Sequence, residues 1–248
     1  MVHSLINRFK QFLRPIRQTF LSLLYQGNKR YCPICEKTSR KFLPFGNPIR
    51  SDARCIHCNS LERHRLIWIF FRSQTNLFNG LQKEMLHVAP EPIFQRLLAK
   101  HFSKGYLTAD LYNPEAMVKM DITNIQYPDN TFDVIYCSHV LEHVTDDRKA
   151  MKEFYRVLKA GGWAILLVPI LDGPTHEDLS ITDPEERLKL YGQEDHVRKY
   201  GTDEVYLDRL KEAGFKVQII EPSEFLDSEE IIRMGITKAA QNIYYCTK

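Results

Sequence analysis

From Glu84 to Cys246 short apolar runs alternate with segments whose apolar residues recur at helical spacing, and no other feature narrows the fold as much. Runs of four to six apolar residues are too short for helices. Bounded by turn residues, they read as buried strands. A helical pattern between successive strands returns the chain to the same end of the sheet, which makes the pairing parallel. The predicted strands are Met85–Ala89, Tyr106–Ala109, Val118–Met120, Phe132–Cys137, Trp163–Val168, Phe215–Ile220 and Ile243–Cys246. The predicted helices are Pro92–His101, Asp147–Leu158, stopped by Gly161-Gly162, and Asp203–Ala213, ended by Gly214. The expected fold is α/β, a doubly wound, mostly parallel seven-stranded sheet. Leu171 to Gly201 is long, polar and irregular apart from one helical turn near Glu185 to Tyr191, and a loop of that length commonly forms a lid or a binding face.

Open parallel sheets bind ligands beyond the carboxyl ends of their strands. Asp110 closes the second predicted strand, in Thr108-Ala109-Asp110-Leu111-Tyr112, and Asp121 closes the third. A carboxylate at the tip of the second strand can accept both ribose hydroxyls of a nucleoside cofactor. The bland alternative for either acid is a turn or helix cap.

The stretch around Asp121 is more specific. Met120-Asp121-Ile122 is followed by the turn residues Tyr127-Pro128-Asp129-Asn130, the strand Phe132-Asp133-Val134-Ile135-Tyr136-Cys137, then Ser138-His139-Val140-Leu141-Glu142-His143-Val144. This order resembles the central segment of class I S-adenosylmethionine (SAM)-dependent methyltransferases, in particular the group with the quinone-biosynthesis enzymes. The resemblance covers residues 84–248 and implies a Rossmann-like domain with SAM as cofactor. It assigns Asp110 to the ribose, Asp121 to the adenine amino group and Ile122 to the face of the ring. The implied cofactor shell is His87, Ala89, Glu91, Asp110, Leu111, Asp121, Ile122, Ser138 and His139. One element departs from the pattern. The family has a glycine-rich turn after its first strand, whereas here the turn reads Leu86-His87-Val88-Ala89-Pro90-Glu91-Pro92, with Ala89, Glu91 and Ile93 where glycines are expected. Two outcomes follow: Glu91 binds the cofactor's ammonium group, or the site no longer holds the cofactor.

Methyl transfer from a sulfonium needs alignment and, for some acceptors, a base. The candidate bases are His139, Asp195 and His196, with His143 and His176 behind them. The segment Tyr191-Gly192-Gln193-Glu194-Asp195-His196-Val197-Arg198 reads either as a solvated loop or as the acceptor-binding face, with Arg198 holding an anionic group. Cys137 and Cys246 read as buried strand residues.

Ahead of this domain stand two close cysteine pairs, Cys32-Pro33-Ile34-Cys35 and Cys55-Ile56-His57-Cys58, separated by nineteen residues. Each pair can present two thiolates to one tetrahedral ion, and together they close its shell. The expected module, residues 31–66, is a zinc ribbon with Cys32, Cys35, Cys55 and Cys58 as ligands and a structural rather than catalytic ion. Residues 67–83 read as a linker or lid helix, part of a helical run from Leu61 to Phe78.

The chain's formal charge of +3 is too small to imply nucleic acid, but its distribution is uneven. Residues 1–30 hold Arg8, Lys10, Arg14, Arg17, Lys29 and Arg30 and no acid, so the rest of the chain is acidic. Between residues 1 and 25 apolar residues recur at helical spacing. Three readings stand together: a membrane-surface helix, a helix packed on protein, and a transit peptide. No run reaches the roughly 18 apolar residues of a membrane span, and the expected location is cytoplasmic, with membrane contact at the cytoplasmic face if residues 1–25 are interfacial. The leading function is methyl transfer from SAM to a small-molecule or glycan- or lipid-linked acceptor. The alternatives are a binding protein on a degenerate methyltransferase fold and an RNA-directed enzyme recruited through the ribbon. Few aromatic residues interleave with the ribbon's bases, which weighs against nucleic acid.

Overall fold

The computed structural model describes residues 20–102 and 104–248. Contacts gather the chain into two units: one runs to Asn76 and takes in Pro222–Ala240, and the other is Leu77–Glu221 with Gln241–Lys248. The expected boundary of 84–248 is thus interrupted, because residues 222–240 pack with the cysteine-bearing unit. The predicted amphipathic helix of residues 1–25 lies outside the described residues as far as position 19. Residues 20–24 are helical, with Phe20, Leu23 and Leu24 exposed. No helix among the described residues is long and apolar enough to cross a membrane.

In the first unit two antiparallel hairpins carry the cysteines. One joins β1 (Arg30–Cys32) to β2 (Lys37–Ser39), and the other joins β3 (Leu43–Phe45) to β4 (Arg50–Arg54). The helix Glu62–Ser73 follows and buries Leu66, Ile67, Phe70 and Phe71. It ends earlier than the predicted run to Phe78. The Ser73 hydroxyl donates to the Ile69 carbonyl and the Thr75 hydroxyl to the Phe71 carbonyl, so side chains take up carbonyls of the last turns. A short helix, Ser228–Arg233, is set by a capping box in which the Asp227 carboxylate accepts from the Glu230 N–H at 2.7 Å.

Arg65 joins these pieces. Its guanidinium is fully buried and makes only backbone hydrogen bonds: Nε to the Met234 carbonyl at 2.5 Å, Nη1 to Ser60 at 2.9 Å and Ala53 at 3.1 Å, Nη2 to Gly235 at 3.0 Å and Ala53 at 3.1 Å. Its plane lies over the Phe42 ring, 4.3 Å from the centroid. No carboxylate is needed, because four carbonyl oxygens satisfy the cation.

In the second unit the strands are β5 (Met85–Val88), β6 (Tyr106–Asp110), β7 (Val118–Lys119), β8 (Phe132–Ser138), β9 (Leu158–Leu167), the short pair β10 (His176–Glu177) and β11 (Arg198–Lys199), β12 (Lys216–Ile220) and β13 (Ile243–Thr247). Seven of them form one sheet in the order β12-β13-β9-β8-β5-β6-β7. β5 to β9 pair in parallel, and β13 runs antiparallel to both neighbours. This is the expected doubly wound, Rossmann-like α/β sheet. All four residues of β5 are buried, as a central parallel strand covered on both faces requires. The helix Pro92–His101 begins with proline at its first position and buries Phe94 and Leu98. The helix Asp147–Val157 is capped by Asp146, which accepts from the Lys149 N–H, and it buries Ala150, Met151, Phe154 and Val157.

Gly161-Gly162 do not stop that helix. It ends at Val157, and β9 starts at once and runs through both glycines. Pairing with β8 passes from Phe132–Leu158 to Val134–Trp163, so five residue steps on β9 face two on β8. The glycines make this bulge possible: Gly161 has φ +74, and a Cβ on Gly162 would meet the Asp133 and Lys159 carbonyl oxygens at 2.9 Å. The predicted irregular loop 171–201 is also more ordered than expected, since β10 and β11 pair antiparallel around the helix Pro184–Tyr191.

Replacing Arg65 with alanine would leave several buried carbonyls without a donor. Arg65→Ala is expected to cost the first unit about 3 kcal/mol or more, read from its denaturant unfolding midpoint; a loss within error of zero would show that the guanidinium network contributes nothing net.

Candidate functional site

The carboxyl ends of β5, β6, β7 and β8 lie along one edge of the sheet, since these strands are parallel neighbours in matched register. Val88 pairs with both Ala109 and Cys137, and Asp110 pairs with Lys119. Ala89, Asp110, Asp121 and His139 therefore all leave the sheet on that edge, where open α/β folds hold ligands. The Met120 N–H donates to the Asp110 carbonyl at 3.0 Å, and Asp121 lies two positions beyond Lys119, the register partner of Asp110. In each, one carboxylate oxygen caps a local turn. Asp110 Oδ1 accepts from the N–H groups of Tyr112 and Asn113, both at 2.7 Å, and Asp121 Oδ1 accepts from the N–H and hydroxyl of Thr123, both at 2.8 Å. Among the described residues, none donates a hydrogen bond to Oδ2 of either acid. The capping role and a ligand role are compatible: the turn fixes one oxygen and the other remains free to accept.

The predicted shell is otherwise divided between edge and interior. Leu111 follows Asp110 and is half-buried. Ile122 is only 5% exposed and packs in the main core with Met120 and Ile125, so it turns little surface outward. His87 is fully buried, its Nδ1 2.7 Å from the Tyr106 hydroxyl, and burial pushes its pKa down to about 4. It is a neutral interior residue. Glu91 precedes the first residue of the helix Pro92–His101, and its Oε2 accepts from the Tyr136 hydroxyl at 3.0 Å. Ser138 ends β8 with its hydroxyl buried and without a partner.

Two residues at this edge adopt backbone conformations that favour glycine: Ala89 after β5, at φ +46, and His139 after β8, at φ +56. The turn after the first strand thus keeps a glycine-type bend although alanine occupies it. A side chain in the left-handed region costs about 1–2 kcal/mol, and such strain collects at functional sites.

Beyond His139 lies a second group of polar residues. The short 3-10 turn Leu141–His143 is joined to the long loop, where the Val197 N–H donates to the Glu142 carbonyl at 2.9 Å. Arg198, predicted to hold an acceptor's anionic group, is instead buried and committed to protein. It donates to the carbonyls of Leu141 at 2.7 Å, Val144, and Thr145 at 2.8 Å, and it pairs with Glu177 at 2.6 Å. Of the predicted bases, His139 is the one at the edge, its Nδ1 3.4 Å from Glu142 Oε1. Asp195 is exposed and its Oδ2 lies 3.2 Å from His143 Nδ1. His196 is 4% exposed, its Nδ1 3.1 Å from the Tyr191 carbonyl oxygen, and burial lowers its pKa. The rings of His143 and His196 meet edge to face at 4.7 Å. His176, on β10, is exposed. The sequence reading singled out His143 and overlooked its neighbour Glu142, which is 1% exposed with neither carboxylate oxygen hydrogen-bonded. Periodicity around position 142 gives no sign of that burial, because the contacts that cause it come from residues more than fifty positions away.

In the first unit the four cysteine sulfurs converge as predicted. One ligand atom from each of Cys32, Cys35, Cys55 and Cys58 lies within 4.8 Å of the others, with Cys32–Cys58 at 3.5 Å and Cys35–Cys55 at 3.8 Å, and none is in a disulfide.

Residues 83–166 match the family model described as a methyltransferase domain. The chain is 30% identical over 130 residues to the sterol 24-C-methyltransferase of Eremothecium gossypii, covering 52% of this chain and 33% of that protein. It is 44% identical over 63 residues to the ubiquinone/menaquinone biosynthesis C-methyltransferase of Pseudoalteromonas translucida, covering 25% of this chain and 24% of that protein. The chain thus spans a third or less of these relatives' lengths. Among solved structures, an S-adenosylmethionine-dependent methyltransferase from Mesorhizobium loti aligns with a TM-score of 0.49 and 15% identity, over 74% of this chain and 98% of that one. The matched segment, β5 to β9, is similar to a methyltransferase domain, and it contains Ala89, both edge acids and His139.

Because Ala89 sits where glycine is unstrained, Ala89→Gly is expected to raise thermal or denaturant stability by about 0.5–1 kcal/mol, the strain relief exceeding the entropy cost. A clear loss would mean that the bend is not strained in solution.

Proposed function

We propose that this chain is a SAM-dependent methyltransferase acting on a small-molecule or glycan- or lipid-linked acceptor. The observation that carries the proposal is the pair of edge carboxylates, each with one oxygen fixed by its own turn and one open, within a segment that matches the methyltransferase model. The relatives named above are a sterol 24-C-methyltransferase and a C-methyltransferase of ubiquinone/menaquinone biosynthesis, which supports a lipid-like acceptor for this chain.

When bound, the cofactor supplies a methyl group already activated on a sulfonium. The protein's part is to hold it, align the acceptor and, where the acceptor carries a proton, remove it. The open oxygen of Asp110 suits the ribose hydroxyls, since a carboxylate accepts only. The open oxygen of Asp121 suits the adenine amino group for the same reason. His139 is the residue we assign as base, because among the predicted bases it alone follows directly from a strand end at this edge. Glu91, held by Tyr136 at a helix N-terminus, offers the cofactor's ammonium group a charge-assisted contact in place of the missing glycine backbone.

We also propose that the four-cysteine cluster holds one structural zinc ion. Thiolates about 2.3 Å from a tetrahedral ion stand roughly 3.8 Å apart, and the observed spacings of 3.5 and 3.8 Å fit that shell. Four thiolates leave no open position, so the ion's part is to tie the two hairpins together.

Calorimetric titration with SAM should give saturable binding, and Asp110→Ala should weaken it by about 1.5–3 kcal/mol. A flat isotherm with folded wild-type protein would instead favour a binding protein on a degenerate fold. For the ribbon, zinc analysis of protein prepared without chelator should fall by one ion per chain in Cys55→Ser, with lowered stability of the first unit; an unchanged zinc content would reject the cysteine site.

A further inference from the structure

We propose that Glu142, His143 and His196 form a second metal site, one for a first-row divalent ion with open coordination positions. One ligand atom from each lies within 4.8 Å of the other two. The chemistry of the three points to a cation. His196 Nδ1 faces the Tyr191 carbonyl oxygen at 3.1 Å, and a carbonyl can only accept, so Nδ1 carries the proton and Nε2 presents a bare lone pair. That Nε2 is buried with no hydrogen-bond partner. Glu142 is 1% exposed, and neither of its oxygens accepts a hydrogen bond. Buried acceptors thus converge, and His139 Nδ1, 3.4 Å from Glu142 Oε1, makes no hydrogen bond to them; such an arrangement costs several kcal/mol unless something positive joins them.

The surroundings are those of metal-binding histidines. Such residues commonly give their second ring N–H to a carboxylate or a backbone carbonyl, which fixes the tautomer and turns the other nitrogen to the ion. His143 has Asp195 Oδ2 at 3.2 Å from Nδ1, and His196 has the Tyr191 carbonyl. Two imidazoles and one carboxylate suit zinc, manganese, iron or cobalt, and three protein ligands leave room for further ones. Ligand atoms about 2.1 Å from one ion stand no more than roughly 4.2 Å apart, so only a pair near the 4.8 Å bound would have to close, by a fraction of an ångström. The rival occupant is a proton shared between Glu142 and His196. The ion would lie beside His139, through Glu142 Oε1, with its open position available to an oxygen or nitrogen donor of the acceptor. The metal site itself does not depend on the methyl-transfer reading.

The test uses the full chain with the cysteine cluster kept loaded with zinc. Mn2+ is titrated in and the free ion followed by its paramagnetic resonance signal, since Mn2+ favours oxygen and nitrogen over thiolate ligands. One saturable Mn2+ site per chain is expected, with zinc competing for it. Glu142→Gln and His143→Gln should each weaken it at least about tenfold, the scale seen even for indirect partners, while Cys55→Ser should leave it intact. Should Glu142→Gln fail to fold by circular dichroism, the more exposed His143 carries the comparison. If wild-type protein takes up neither Mn2+ nor zinc beyond the cysteine site, or if binding is unchanged in the folded variants, the metal site is wrong and the shared proton stands.

Discussion

The buried guanidinium of Arg198 organises the candidate site. It grips three carbonyls in the stretch after β8 and the carboxylate of Glu177, and so fastens the long loop onto the segment that follows the edge strand. Without that clamp, nothing in local sequence would bring His196 within reach of Glu142 and His143. Glu177 is shared with Arg209, and Asp147 in turn takes Arg209 at 2.6 Å and the Tyr200 hydroxyl at 2.5 Å. The cations and anions of this cluster each have at least two partners, although Arg209 Nε is buried without one, and such multiple pairing is the condition under which buried charge holds a structure rather than weakening it. For Glu177 the opposing arginines outweigh burial and lower its pKa.

Much of the sheet was legible because strand and crossover signals are local. The continuous apolar runs at 85–88 and 132–137, the proline at the start of the helix Pro92–His101 and the cap at Asp146 all act within a few residues of where they are written. The acids at strand ends and the cysteine pairs were legible for the same reason. What sequence reasoning missed depends on distant partners. The double glycine at 161–162 looks like a helix stop until Asp133 on the neighbouring strand shows why no side chain fits. Arg198 looks like a surface ligand until its carbonyl partners, more than fifty residues earlier, are placed around it. Glu142 looks like a solvated acid on a short turn until the loop covers it.

The altered first turn shows that conformation and residue type can part company. Ala89 holds a backbone angle normally left to glycine, and the N–H of the same residue donates to the Ala109 carbonyl at 2.8 Å, continuing the ladder from β5. The bend is therefore over-determined by the sheet itself, which lets alanine sit there at a modest cost in strain.

Arg65 has its own consequence for how the polypeptide comes into being. Its helix leaves the ribosome long before Met234 and Gly235, the carbonyls that complete its shell some 170 positions later. Until then a guanidinium destined for the interior must stay hydrated, so the cysteine-bearing unit cannot finish folding as a nascent N-terminal piece. Its maturation waits for residues 222–240, and any product of premature termination before residue 222 is left with an open interior and a stranded positive charge.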